Sequence, residues 1–135
     1  MEQKQRLKGT QGEVELELRL QAGILSVFIN GYLDRVLGAA IVEQATVLTR
    51  ASQMVNIFLD FSMMTGFDSS VREMMRRAKS QFGKRLTVHV LTSTKIHAMF
   101  IAVARLTLGE TLVGYTDRDA FAQAHRSALG GHGGN

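Results

Sequence analysis

The chain has 135 residues, the usual size of one domain and enough to enclose a hydrophobic core. It contains no cysteine, which excludes disulfides and thiolate metal sites, and its longest apolar run (98–104) is far shorter than the roughly 20 residues that a membrane-spanning helix needs. The net charge of +4 permits an acidic partner. The sequence lacks the interleaved aromatic and basic residues that are typical of nucleic-acid binding.

The first half of the chain predicts a β-hairpin, a helix and a third strand. Residues 1–12 are polar and predict a flexible arm, whereas residues 13–20 alternate strictly between apolar and charged, which indicates a half-buried strand. Residues 24–29 predict its hairpin partner. Asp34 can then cap a helix that extends to about residue 50. The nearly continuous apolar segment 56–61 predicts a central, parallel strand.

The second half predicts helices and strands in alternation. The second helix carries an inner stripe that includes Val71 and Phe82, and Gly83 is a common signal for its end. On the fourth strand His89 alternates outward, which indicates a surface residue. The predicted elements are a helix at 70–82, a strand at 86–91, a helix at 95–108, a strand at 112–115, a helix at 118–129 and a flexible glycine-rich tail at 130–135. Strands that alternate with helices predict an α/β fold with a mostly parallel, five-stranded sheet and an antiparallel N-terminal edge.

A polar turn, Asp68-Ser69-Ser70, joins the third strand to the second helix. Residues 70–73 fit the S-x-x-E capping box, with Ser70 as N-cap and Glu73 reaching back to it. Ser69 then remains available to a partner or a kinase. A phosphate on Ser69 would be stabilised by the helix N-terminus, so capping and switching are compatible interpretations.

Three short motifs resemble those of the STAS domain family of sulfate transporters and anti-sigma factor antagonists. They are GYLD at 31–34, LDFS at 59–62 and FDSS at 67–70, in the order and at the distances of that family. The resemblance covers residues 13–129. It implies a single STAS-like domain, with four helices mainly on one face of the sheet and no catalytic activity.

The resemblance also implies a function in regulation. In the anti-sigma antagonists the first serine of D-S-S is phosphorylated by a partner kinase, and the matching residue is Ser69. The expected partner is a kinase-like anti-sigma factor or a related regulator in the cytoplasm. The family usually continues D-S-S-G, whereas this chain has Val71, which is expected to block close approach of a partner backbone. Val71 therefore favours the alternative, a structural or accessory subunit of an oligomer, a stressosome-like assembly or a transport ATPase, without phosphorylation.

Basic residues beside the turn extend the expected partner surface. Arg72, Arg76 and Lys79 recur at helical spacing on the outer face of the second helix. They predict either a docking strip or a solvated helix face. The complete set of residues expected to bind the partner is Asp34, Asp68, Ser69, Ser70, Arg72, Arg76 and Lys79.

The third helix is apolar nearly all round, which is typical of a helix buried on more than one side. It predicts either a surface for a second copy or burial beneath the C-terminal helix. The residues expected at such an oligomer surface are Ile96, Met99, Phe100 and Val103. No nucleophile, base and orienting group can be named together, and the histidines lack ligand spacing, so we expect no enzyme activity, no metal and no cofactor.

Overall fold

The computed structural model describes the backbone of residues 2–133 and the side chains of residues 3–93 and 99–130. Within these residues one six-stranded sheet forms, and the order of its strands in space is their order along the chain. The first three strands pair antiparallel, and the third to the sixth pair parallel. The strands are β1 (Glu2–Lys8), β2 (Gly12–Arg19), β3 (Ile24–Leu33), β4 (Val55–Phe67), β5 (Leu86–Thr92) and β6 (Leu112–Tyr115).

The α/β class and the predicted order of elements are confirmed, but the prediction of five strands was wrong. The segment predicted as part of a flexible arm, residues 1–12, contains β1. Its basic residues face the acidic residues of β2 in the pairs Lys4–Glu17, Arg6–Glu15 and Lys8–Glu13. Opposite charges across an antiparallel pair stabilise it by about 0.2–1 kcal/mol each, so the acidic face of β2 orders the arm as a strand.

In the part of the chain that the structure describes, four α-helices flank the sheet: α1 (Arg35–Ala51), α2 (Ser70–Phe82), α3 (Thr94–Leu108) and α4 (Arg118–Gly133). The first three connect parallel strands that advance in one direction across the sheet. Right-handed crossovers place such helices on the same face. The last helix follows the final strand and packs on the opposite face. None of the described helices is long and apolar enough to cross a membrane.

Each face of the sheet has its own hydrophobic core. The larger core lies beneath α1, α2 and α3 and includes Val71 and Phe100. The smaller core, beneath α4, consists of Ile24, Phe58, Leu91 and Phe121. The alternative that the C-terminal helix covers the third helix was therefore wrong, because the sheet separates them.

The C-terminal helix also continues further than the sequence indicates. Residues 130–133 belong to α4, although glycine has a low helix propensity, so the flexible tail predicted for residues 130–135 was wrong for this part. Residues 134 and 135 lie outside the described residues.

Candidate functional site

The Asp68-Ser69-Ser70 turn lies where β3 and β4 end side by side. β4 extends beyond its predicted end at residue 61 to Phe67, because it continues to pair with β3 as far as Leu33. The Asp68 N–H then donates to the Leu33 carbonyl at 2.9 Å. The turn that precedes α1 and the turn that precedes α2 are therefore neighbours in space.

Asp34 has a structural role in this arrangement. Its Oδ1 accepts a hydrogen bond from the Leu37 N–H at 2.8 Å and caps α1, as the sequence predicts. Its Oδ2 accepts one from the Thr10 N–H at 3.3 Å, which ties the turn between β1 and β2 to the helix. Contact between Asp34 and a partner stays a prediction.

The start of α2 differs from the predicted capping box. Ser69, not Ser70, occupies the N-cap position, and its side chain makes no capping hydrogen bond. The Asp68 carboxylate instead accepts the Ser70 N–H at 2.8 Å, while Glu73 pairs with Arg76 and Arg77. The Asp68 carboxylate, and not the Ser70 hydroxyl, caps α2, because an ionised carboxylate is a stronger acceptor than a hydroxyl and reaches the N–H two residues ahead.

The two serines of the turn have opposite environments. The Ser69 side chain is exposed to solvent. The Ser70 Oγ is buried, and among the described residues no group meets it with good hydrogen-bond geometry. It still lies close enough to the Asp68 carboxyl that it lowers the pKa of that group, as does the Ser70 N–H. Of the two hydroxyls, only that of Ser69 is open to a partner.

Ser69 shares a groove between α2 and α3 with the basic residues Arg72, Arg76 and Lys79. Leu106 and Thr107 form the α3 side of this groove. The basic strip thus lies beside the turn, and its role in docking stays a prediction. Arg76 is already hydrogen-bonded to Glu73, whose carboxyl pKa it lowers. An exposed hydroxyl at a helix N-terminus among cations is suited to carrying or meeting an anion rather than to proton transfer.

Val71 lies on the inner face of α2. Its side chain is buried in the larger core, and a methyl carbon of it lies 3.7 Å from the position that a Cβ on Gly38 of α1 would take. The first turn of α2 therefore buries this residue against the sheet. That Val71 blocks close approach of a partner backbone stays a prediction.

The predicted oligomer surface on α3 is divided between core and solvent. Phe100 is buried and packs edge-on against Phe61 and Phe67, so its assignment to a surface was wrong. Met99 is 56% exposed and Val103 is half-buried. The Ile96 side chain lies outside the described residues.

A polar network near the start of α4 was missed at the sequence level. The Ser62 hydroxyl donates to Asp60 Oδ1 at 2.6 Å, and Arg118 donates to Asp60 Oδ2 at 3.0 Å and to the Ser62 Oγ at 2.9 Å. Asp60 and Ser62 are two residues apart on β4 and therefore share a face. This spacing, with Arg118 in the first turn of the last helix, is the signal that could have revealed it.

Two histidines lie between α4 and the sheet. His89 stacks on Phe58 with ring centroids 4.2 Å apart and hydrogen-bonds to Tyr115 and Asn56, so its prediction as a surface residue was wrong. Burial, with a smaller contribution from the nearby His125, lowers the pKa of His89 to about 4. His125 contacts the Ser26 Oγ at 3.1 Å, and burial lowers its pKa as well. Among the described side chains, no group of three potential metal ligands lies together.

Comparison with solved structures shows which fold this is. An uncharacterized protein with a SpoIIAA-like fold from Shewanella loihica matches with a TM-score of 0.57 at 13% identity, over 87% of this chain and 98% of the other. This chain has a SpoIIAA-like fold. An anti-sigma factor antagonist from Mycobacterium paratuberculosis matches with a TM-score of 0.55 at 16% identity, over 93% and 95% of the two chains.

The Bacillus cell fate determinant SpoIIAA, in its phosphorylated form, matches with a TM-score of 0.51 at 14% identity, over 90% of this chain and 99% of the other. The structural overlap establishes the fold that the resemblance implies, and at such low sequence identity it establishes the fold alone. No family model and no curated protein matches the chain.

Proposed function

We propose that this protein is a non-catalytic regulatory module that binds a protein partner through the Asp68-Ser69-Ser70 turn and the basic face of α2. We further propose that phosphorylation of Ser69 switches this binding. The partner would be a kinase-like anti-sigma factor or a related cytoplasmic regulator. The observation that carries the proposal is the position of Ser69, an exposed hydroxyl at the N-terminus of α2 in one groove with Arg72, Arg76 and Lys79.

The hydrogen bonds of the turn support a switch that leaves the fold intact. Asp68 accepts the Ser70 N–H, so the helix cap does not depend on the Ser69 hydroxyl. A phosphate on Ser69 would add about −1.5 to −2 charges beside cationic side chains. Charge-assisted hydrogen bonds to Arg72 or Lys79 would hold it there. The sign of the surface that a partner meets would change, whereas the core would not.

Affinity capture with charge variants tests this proposal. The parent protein, Ser69→Ala, Ser69→Asp and the control Ser127→Asp are immobilised and exposed to a lysate of the source cells, and the captured proteins are quantified by mass spectrometry. Ser127 is exposed on α4, on the opposite face of the sheet. We expect a partner that is retained by the parent, Ser69→Ala and Ser127→Asp but is depleted at least tenfold on Ser69→Asp.

Two results would contradict the switch. One is equal capture by the two Ser69 variants, and the other is equal loss on Ser69→Asp and Ser127→Asp, which would indicate a general charge effect. Unchanged circular dichroism spectra of all variants would show that altered capture does not reflect unfolding.

The outer surface of α3 favours a second candidate function, that of a structural subunit in a homo-oligomer. Met99 and Leu106 are 56% and 79% exposed on this helix. Exposed apolar side chains on one helix are suited to covering by a second copy. Under this candidate Ser69 would not be modified. A concentration-independent monomer in light scattering would argue against it.

A further inference from the structure

A partly enclosed cavity lies in the larger core, between the sheet and the helices α1, α2 and α3. Its volume is about 80 Å³, and every residue that lines it is apolar. The sheet contributes Ile57 and Val88, among others, and α1 contributes Ala45. Protein interiors are normally packed as densely as organic crystals, with few voids larger than a water molecule. An apolar cavity of this size is therefore a distinct feature of this structure.

The chemistry of the lining determines what the cavity can hold. A water molecule needs two to four polar partners, and the lining side chains supply none. An apolar molecule needs only contact surface. Engineered apolar cavities of about 150 Å³ bind benzene, and this one is roughly half that size. The cavity thus selects against polar occupants, and its wall has to yield for it to hold a benzene ring.

Half-buried methionines form part of the wall. Met74 and Met75 line the cavity from α2. The Met74 sulfur lies only 2.8 Å from where a Cβ on Gly38 would lie, so the absence of a side chain at Gly38 lets the two helices approach there. Methionine is unbranched and repacks at low cost. The wall can therefore yield to an occupant larger than the cavity at rest.

We propose that this cavity binds a small, uncharged apolar molecule about the size of a benzene ring. Val71, two residues after Ser69, also lines the cavity. An occupant would therefore contact the first turn of the helix that presents Ser69. The binding itself requires neither a partner protein nor phosphorylation.

Benzene is the probe that tests this inference. Thermal unfolding of the full chain is measured with benzene and with phenol at the same concentrations. A ligand that binds only the folded state raises the midpoint, and about a tenfold excess of benzene over its Kd should raise it by a few degrees. Phenol has the same ring but would bury a hydroxyl without a partner, so we expect it to bind at least about tenfold more weakly.

Variants and methyl signals locate the binding. Ala78→Leu should fill the cavity from its α2 side and abolish the benzene effect. The matched control Ala39→Leu, at an exposed position of α1, should retain it. In the unmodified chain, benzene should shift the NMR signal of the Met74 methyl group but leave that of the exposed Met99 unchanged.

The inference would be overturned if benzene raised the midpoint equally in Ala78→Leu and Ala39→Leu, if phenol matched benzene, or if no midpoint shift occurred. The methyl signals do not depend on the variants. Absence of a Met74 shift would therefore count against the cavity even if Ala78→Leu failed to fold.

Discussion

Two segments with the same local hydrogen bond, Asp60-Phe61-Ser62 and Asp68-Ser69-Ser70, place their middle residues in opposite environments. In each, an aspartate Oδ1 accepts the N–H of the serine two residues ahead, at 3.1 Å in the first segment and 2.8 Å in the second. The first lies within β4, where alternation directs Phe61 into the core. The second begins α2, and Ser69 is exposed to solvent.

The difference shows that the element around a motif, not the motif itself, decides which side chain is presented. In the first segment Arg118 donates to Asp60 Oδ2 and to the Ser62 Oγ, so both polar side chains are engaged. In the second segment Asp68 caps the helix, and the neighbouring hydroxyl of Ser69 stays open to solvent. The first segment therefore stabilises the chain, whereas the second leaves a hydroxyl exposed.

The largest expected effect contrasts the two middle residues. Phe61 is 2% exposed and packs edge-on against Phe100, so Phe61→Ala should lower the free energy of unfolding by about 3–5 kcal/mol. Ser69→Ala should change it by less than about 0.5 kcal/mol, because this side chain is exposed and caps nothing. Urea unfolding followed by circular dichroism measures both. A loss above about 1 kcal/mol for Ser69→Ala would show that this hydroxyl supports the fold.

An effect of intermediate size is expected from pH. The free energy of unfolding should depend on pH through the histidines beneath α4, and not through the Asp68-Ser69-Ser70 turn. The pKa of His89 is lowered to about 4, and that of His125 is also lowered, so the folded chain resists protonation that the unfolded chain accepts. Their contribution to stability is complete above about pH 6.5 and is lost as the pH falls from there toward 4. After allowance for partial exposure, we expect a loss of about 1–2 kcal/mol between pH 7 and pH 5.

Unfolding by urea at several pH values checks this dependence. The charged groups near the pair are Glu17 and Arg19, and the Tyr115 hydroxyl hydrogen-bonds to His89. The variant His125→Gln should flatten the profile, whereas Ser69→Ala should leave it unaltered. Identical pH profiles for the parent and His125→Gln would show that His125 does not contribute to it.

The smallest expected effect contrasts Ser62 and Ser70, the last residues of the two segments. The Ser62 hydroxyl donates to Asp60 and accepts from Arg118, so Ser62→Ala should cost about 1 kcal/mol. The Ser70 hydroxyl is buried without a partner of good geometry, so Ser70→Ala should lie within about 0.5 kcal/mol of the parent. Chemical unfolding of the two variants gives the comparison. A greater loss for Ser70→Ala would restore Ser70 as the cap of α2.

Periodic segments made most of the fold predictable. The strict alternation in residues 13–20 and the helical stripe of residues 70–82 both correspond to observed elements, β2 and α2. The exposed Ser69 and the basic residues beside it were also predictable, because they follow from the position of a polar turn before an amphipathic helix. The cap of α2 was not, since Asp68 and Ser70 are both good caps and only the backbone path decides between them.

The sequence by itself determined the order of strands and helices from β2 onward, because hydrophobic period is a local property that one segment carries alone. Tertiary structure decided what depends on distant neighbours. β1 is a strand because the glutamates of β2 lie opposite its cations, and His89 is buried because α4 packs on the face of the sheet that the crossover helices leave open. Val71 faces the core for the same kind of reason, because the sheet beneath α2 sets the direction in which the first turn of that helix points.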